Sequence, residues 1–167
     1  MRNRTTYSTR IKHFINDCDG VALVEFAILL PMLLLVFAIM IEGSRLMWSY
    51  QSTISAVRDA TRYLARIAPV DICSSGGSVA GYSGDLMTII TKNIDGDTVF
   101  PAGITVASVV PTLTCIPGAF RVNPAPVVQV TATITVTFIF GGVFNLNGGS
   151  LTSVTTTVSD QSKVYGT

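Results

Sequence analysis

The chain contains few of the residues that catalysis or metal binding requires. Its 167 residues include one histidine, His13, and show no GxGxxG, Walker A or EF-hand spacing. Neither a Ser-His-Asp triad nor an imidazole metal site is therefore available to the part of the chain after His13. Asp95-Gly96-Asp97 resembles the start of a calcium-binding loop, but the later ligands and the closing glutamate are missing, so a turn is predicted there. We expect a protein without enzymatic activity, bound metal or cofactor.

Charged residues are also scarce. Only 13% of the residues are Asp, Glu, Lys or Arg, and the formal net charge is +1. A net charge so close to zero gives no electrostatic basis for nucleic-acid binding, and we expect none. Together with a mean hydropathy of +0.53, this composition is typical of a small membrane-linked protein with room for one domain besides its anchor.

One long apolar run dominates the N-terminal part of the chain. Every residue in 21–41 is apolar except Glu25. A helix of this length spans about 30 Å, the hydrocarbon thickness of a bilayer, so a transmembrane helix is predicted over 21–41, with a slight bend at Pro31. A cleaved secretory signal is the alternative, but the run is long for a signal and no small-residue cleavage site follows it.

The flanking residues predict the orientation of this helix. Four basic residues precede the run, Arg2, Arg4, Arg10 and Lys12, whereas only Arg45 and Arg58 follow within a comparable distance. By the positive-inside rule, the N-terminus is expected in the cytoplasm and everything from Glu42 onward on the far side.

The cysteines agree with this topology. Cys18 precedes the apolar run, whereas Cys73 and Cys115 both follow it, in the part that is predicted to reach an oxidising compartment. We predict a disulfide between Cys73 and Cys115. Two buried free thiols are the alternative.

The spacing of side chains after the apolar run predicts that the helix continues to Ala68 and ends before Pro69. Its inner face is predicted to consist of Met47, Tyr50, Ile54, Val57, Thr61 and Leu64. A separate stripe contains Arg58, Arg62 and Arg66. We interpret this stripe as a solvated face with an Asp59–Arg62 ion pair, and a contact with anionic lipid or an acidic neighbour is the alternative.

The remaining chain predicts an α+β domain. After a Gly- and Ser-rich loop, a second helix is expected from Ser83 or Gly84 to Ile94. Strands are predicted over 104–110, over 128–140 and over 151–158, with turns at 141–142 and 147–149. The second strand alternates apolar and polar residues most clearly. The outer half of the long helix is expected to cover the apolar face of the antiparallel sheet.

Several motifs in the long helix resemble those of one known family. The stretch from Gly20 through Val21 to Glu25 and Phe26 looks like a prepilin peptidase site, with cleavage after Gly20. It continues as VEFAILLPMLLL, followed by a Glu42-Gly43-x-Arg45 motif and by Ala56-x-Arg58-Asp59-Ala60-x-Arg62-Tyr63. In this order, the motifs resemble the TadE-like pseudopilins of tight-adherence (Tad) pilus machines. Val57, Asp59 and Thr61 depart from the usual family segment, and the C-terminal strands carry no family signature.

The resemblance implies a minor pseudopilin of a Tad (Flp-type) pilus in a bacterial inner membrane, with a pilin-like fold. Residues 1–20 would be a cytoplasmic leader, 21–41 the single transmembrane helix and 42–167 the exported, periplasmic domain. The implied partners are the prepilin peptidase, other Tad pilus subunits, the inner-membrane assembly platform and membrane lipid.

Glu25 is expected to neutralise the new amino terminus at Val21 of a neighbouring subunit and so to set the register between subunits. The alternative is that the Glu25 side chain simply snorkels to the membrane interface. The alternative function is a membrane-anchored extracytoplasmic binding domain that is neither cleaved nor polymerised. A secreted hydrolase would need a catalytic base that the sequence does not show.

Overall fold

The structure, a computed structural model, describes residues 19–142 and 152–166. The helices are α1 (Asp19–Ile67), α2 (Ile72–Ser75), a 3₁₀ helix (Ala80–Tyr82) and α3 (Ser83–Thr91). The strands are β1 (Ile104–Ile116), β2 (Ala125–Thr137) and β3 (Ser153–Lys163). The chain divides into two compact units, one up to Ile41 and one from Glu42 onward. His13, Cys18, the N-terminal basic cluster and the turn expected at 147–149 lie outside the described residues.

Helix α1 is continuous over 49 residues. Pro31 is the one proline inside α1 and leaves the helix unbroken, so the bend expected there stays a prediction. The helix ends next to Pro69, whose ring disfavours the helical conformation of the preceding residue. Near this end, the Ala65 carbonyl accepts a 2.9 Å hydrogen bond from the Tyr165 amide, which satisfies one of the carbonyls that a helix terminus leaves free. The predicted long helix is therefore confirmed.

The three described strands form an antiparallel sheet in the order β1-β2-β3, which confirms the predicted α+β class. The central strand β2 turns every second side chain inward, and five of these are fully buried: Val128, Val130, Ala132, Ile134 and Val136. The outer half of α1 adds Val57 and Leu64 to the same core, and α3 adds Leu86 and Ile90. Burying a side chain of this size stabilises the fold by about 1.5–3 kcal/mol, so this layer of helix on sheet holds the second unit together.

Strand β1 is longer than predicted, because it runs through Pro111 to Ile116. Pro111 is tolerated because β1 has only one neighbour among the described strands, so a missing N–H on the open side costs no ladder bond. A bulge at Ala107 shifts the register between Val106 and Ser108. Inward-facing residues are therefore even-numbered before the bulge, as at Ile104, and odd-numbered after it, as at Val109.

The other two strand boundaries also differ from the prediction. Strand β2 starts at Ala125 and ends at Thr137, so Phe138 and Phe140 lie beyond it. Strand β3 continues to Lys163, whereas Leu151, its expected first residue, lies outside the described residues.

Helix α3 corresponds to the predicted second helix. It ends at Thr91 instead of Ile94, so the predicted end was wrong. The side-chain oxygen of Asn93 accepts hydrogen bonds from the amides of Asp95 (3.0 Å) and Asp97 (2.8 Å). These bonds favour a turn over another helical turn. Ile94 is consequently fully exposed. The preceding Gly- and Ser-rich segment, expected to be a loop, contains the short helix α2.

The inner face of α1 was predicted incorrectly near its start. Met47 and Tyr50 are 58% and 40% exposed, whereas Ser49 and Thr53 are buried. The Ser49 hydroxyl donates to the Arg45 carbonyl at 2.6 Å, and the Thr53 hydroxyl donates to the Ser49 carbonyl at 2.7 Å. Because these hydroxyls are satisfied within the helix, they can be buried at little cost.

The predicted disulfide is present between Cys73 and Cys115, with 5.8 Å between the two Cα atoms. It links α2 to β1 across 42 residues of sequence. In the chain-entropy description, closing a loop of this length stabilises the folded state by about 4 kcal/mol.

Candidate functional site

The residues of the expected cleavage motif lie in the first two turns of α1. Val21 and Phe26 are 63% and 62% exposed, and Glu25 is also exposed. A Cβ atom added at Gly20 would meet no atom of the described chain within 4 Å, so the fold itself does not require glycine at this position. The described part of the chain contains no hydrogen bond or ion pair of Glu25.

Glu25 shares an open groove with Gly20, Val21, Val24 and Ile28 on one face of α1. Val21 and Glu25 are four residues apart, a spacing that places them one above the other on a helix. A neighbouring chain that packed on this face would therefore meet both residue 21 and the carboxylate. Chemically, the face combines one acidic group with an otherwise apolar surface.

Most side chains in the apolar part of α1 are exposed in the described structure. Among the described helices, α1 alone is long and apolar enough to cross a membrane, and its most apolar stretch has a mean hydropathy of 2.7. Only 6% of that stretch is buried. Leu33 and Phe37, for example, are 61% and 59% exposed. By length and composition, this helix is a candidate membrane span.

The Glu42-Gly43-x-Arg45 motif forms a network at the start of the second unit. The two oxygens of Glu42 accept hydrogen bonds from Arg45 Nη1 (2.9 Å) and from the Phe140 amide (2.8 Å). Arg45 Nη2 donates to the Ala102 carbonyl at 2.9 Å. We call Glu42, Arg45, the Ala102 carbonyl and the Phe140 amide the basal clasp. It ties α1 to the chain that enters β1 and to the chain that leaves β2.

The basal clasp is largely shielded from water. The side chains of Glu42 and Arg45 are 3% and 16% exposed. A carboxylate this buried is costly unless hydrogen bonds compensate it, and each of its oxygens has a partner. Gly103 fits against the clasp: its φ angle is +86°, and an added Cβ would lie 3.3 Å from Arg45 Nη2. The positive φ angle therefore favours glycine at 103, and a larger residue would also crowd Arg45 Nη2.

The other motif residues lie on the surface. Gly43 is exposed, and a Cβ there would meet no described atom within 4 Å. Arg58 is exposed, and Tyr63 is 41% exposed. The expected ion pair joins Arg62 Nη1 to an Asp59 oxygen at 3.9 Å, with both side chains more than 60% exposed. Such a pair adds little stability, as expected for a solvated face.

Sequence reasoning identified the motif but missed what the basal clasp does. Two of its four groups, at Ala102 and Phe140, are backbone groups, which any residue type supplies. The one sequence signal was the spacing of Glu42 and Arg45 by one helical turn. No group of three or more His, Cys, Asp or Glu residues in 19–142 and 152–166 is placed to hold a metal ion.

The fold and these features define an α+β protein. Its long N-terminal helix is apolar in its first half, and the second half packs on an antiparallel sheet in a domain that contains one disulfide. Residues 20–62 match the family model described as TadE-like protein. The match spans the expected cleavage motif, the apolar run, Glu42, Arg45 and Arg62, and it confirms the resemblance to the TadE-like family on the segment that carried it. This family suggests a protein associated with Tad pilus components. No curated protein and no solved structure matches the chain.

Proposed function

We propose that this protein is a minor pseudopilin, a non-enzymatic structural subunit that is assembled into or beneath a Tad pilus. The observation that carries the proposal is the family match, which includes the lone carboxylate Glu25 on an uncovered apolar helix. A carboxylate inside a membrane costs a few kcal/mol on insertion scales, so its presence there is expected to reflect a function.

Processing by a prepilin peptidase after Gly20 is the first step of this function. Cleavage would remove residues 1–20 and leave Val21 as an amino terminus on the cytoplasmic side of the inner membrane. The matched segment starts at residue 20, directly at this bond. A small residue before the bond is expected to leave room for the chain in the active site of the peptidase.

Charge pairing between subunits is the second step. The new ammonium group at Val21 and the carboxylate of Glu25 in a neighbouring subunit would neutralise each other in a low-dielectric surrounding. Because both charges lie on one helix face, the pairing would hold only at one axial offset between helices. The pairing would therefore set the register of the assembly, which the inner-membrane platform would build.

Processing is tested by N-terminal sequencing of the protein isolated from membranes of the native host. We expect Val21 as the first residue of the wild-type protein. The Gly20→Leu variant should accumulate at full length, whereas the matched Gly20→Ala variant should still be processed because its side chain stays small. An amino terminus at Val21 in Gly20→Leu would refute the cleavage site. A wild-type protein that keeps Met1 would instead favour an uncleaved, membrane-anchored binding domain.

A further inference from the structure

The loop at residues 138–142, which follows β2, is bonded to Glu42, the first residue of the second unit. The basal clasp bonds its Phe140 amide to Glu42 at 2.8 Å. Glu42 directly follows Ile41, the last residue of that run, and α1 is unbroken there. If residues 21–41 cross the hydrocarbon layer, Glu42 and the 138–142 loop lie at the boundary of that layer.

The exposed side chains of this loop are apolar. Ile139 is 66% exposed and Phe140 is 36% exposed. The stretch 125–142 contains no ionisable residue. The two charges of the neighbouring basal clasp are paired with each other at 2.9 Å. The loop thus offers large apolar groups on a surface where no unpaired charge of the loop or clasp opposes contact with lipid.

Trp48 is a second exposed apolar group, on the part of α1 that follows the apolar run. It is 61% exposed and follows Ile41 by seven residues, or about 10 Å along a helix. Helical side chains lean toward the N-terminus of their helix, which brings the indole closer to Ile41 than its Cα atom is. The polar headgroup layer on each side of a bilayer is about 5–7 Å thick, and tryptophan is enriched there.

We propose that the 138–142 loop and Trp48 dock the exported domain on the phospholipid interface of the bilayer that α1 crosses. Ile139 and Phe140 enter the boundary between headgroups and acyl chains, and Trp48 lies among the headgroups. This proposal rests on the membrane anchoring in the proposed function. The arginines at 58, 62 and 66 lie about 24 Å or more along α1 from Glu42, too far to take part. Lys92 lines the groove beside Trp48, but Asp59 lines the same groove with the opposite charge, so docking should not require anionic lipid.

Tryptophan fluorescence tests the proposal directly, because the wild-type chain contains one tryptophan. The full-length protein is reconstituted in phosphatidylcholine vesicles, with or without bromine atoms near the glycerol end of the acyl chains as quenchers. A Trp48→Phe background then carries one new tryptophan at a time. Ile139→Trp reports on the loop. Tyr165→Trp is the matched control, since Tyr165 is 72% exposed and its amide bonds Ala65, about 35 Å along α1 from Glu42.

We expect brominated lipid to quench Ile139→Trp several-fold more strongly than Tyr165→Trp, and aqueous iodide to quench them in the opposite order. Wild-type Trp48 should give intermediate quenching by both. Equal quenching of Ile139→Trp and Tyr165→Trp by brominated lipid would overturn the proposal. Quenching of Ile139→Trp that needs anionic lipid in the vesicles would also overturn it, because electrostatic docking by the arginine face would then be responsible.

A third reporter position tests the membrane anchoring independently of the docking proposal. Phe37→Trp in the same Trp48→Phe background places the reporter inside the apolar run. If brominated lipid quenches Phe37→Trp but not Ile139→Trp, the anchor is supported and only the docking loop is refuted. If Phe37→Trp is not quenched, the anchoring itself fails, and with it the docking proposal. Circular dichroism of each variant checks that the fold is retained.

Discussion

At the scale of the residue, Glu42 connects three separate segments with one carboxylate. Its carboxylate accepts hydrogen bonds from the Arg45 guanidinium of its own helix and from the Phe140 amide in the loop after β2, and Arg45 in turn donates to the Ala102 carbonyl. Removing the carboxylate leaves a partly buried guanidinium and a backbone N–H without their acceptor. Losing one partner of a buried network costs more than the net value of the bonds, because the remaining groups stay desolvated.

We therefore expect Glu42→Ala to lower the free energy of unfolding by about 3 kcal/mol. The Glu42→Gln variant keeps an acceptor for the Phe140 amide and should lose about half as much. Urea titration of the full-length protein in detergent, followed by the fluorescence of Trp48, measures both. Asp59→Ala is the control, since the exposed Asp59–Arg62 pair should contribute at most about 1 kcal/mol. Equal losses in Glu42→Ala and Asp59→Ala would show that the basal clasp does not stabilise the fold.

At the scale of the element, the disulfide compensates for the small size of the domain core. It fixes α2, a helix of only four residues, to the far end of β1. A helix this short is not stable by itself, so its position depends on such tertiary links and on buried Ile72.

The Cys73→Ser variant should unfold at a lower urea concentration than the wild type, with a stability loss of a few kcal/mol and up to about 4 kcal/mol. The chain-entropy description attributes the loss mainly to the greater freedom of the unfolded chain, so the native circular dichroism spectrum should change little. The Cys73→Ser/Cys115→Ser double variant should lose no more than Cys73→Ser alone, because one substitution already removes the bridge. Unchanged stability in both variants would argue against a stabilising bridge, and a non-reducing peptide map of the wild type reports directly whether the bridge forms.

At the scale of the whole molecule, the protein combines a helix that lacks a cover with a domain that has its own core. The apolar run exposes side chains that a water-soluble protein would bury, whereas the second unit buries its apolar residues internally. The proposed function assigns the missing cover to lipid and to the helices of other subunits. In the proposed function, Glu25 pairs with the amino terminus of another subunit, and lipid tails offer no such partner.

Glu25→Ala should therefore remain in the membrane at wild-type abundance, since removing a charge from the apolar run favours insertion. Assembly should nevertheless fail. The matched variant Val24→Glu/Glu25→Val keeps the composition of the run but turns the carboxylate about 100° around the helix, and it should fail as well. Protein abundance in carbonate-washed membranes and pilus yield in sheared fractions are the two measurements. Normal pili with either variant at unchanged abundance would refute the register-setting role.

Features that depend on neighbouring residues were predictable from the sequence alone. Hydropathy over 21–41 predicted a helix long and apolar enough to cross a membrane, and strict alternation predicted the buried face of β2 from Val128 to Val136. Both patterns repeat with the period of their element, so they are visible without knowledge of the partners. The pairing of Cys73 with Cys115 was also predictable, because only these two cysteines follow the apolar run.

Features that depend on backbone groups far away in the sequence were not predictable in this way. The bulge at Ala107 reverses the inward-facing positions of β1, so the apolar pattern of that strand has no single period. Ser49 and Thr53 can be buried because their hydroxyls bond to carbonyls of their own helix, whereas Met47 and Tyr50 lie on its exposed side. The partners of the basal clasp are a carbonyl and an amide that any residue type provides. Which carbonyl and which amide of the chain reach Glu42 and Arg45 depends on the packing of the whole domain.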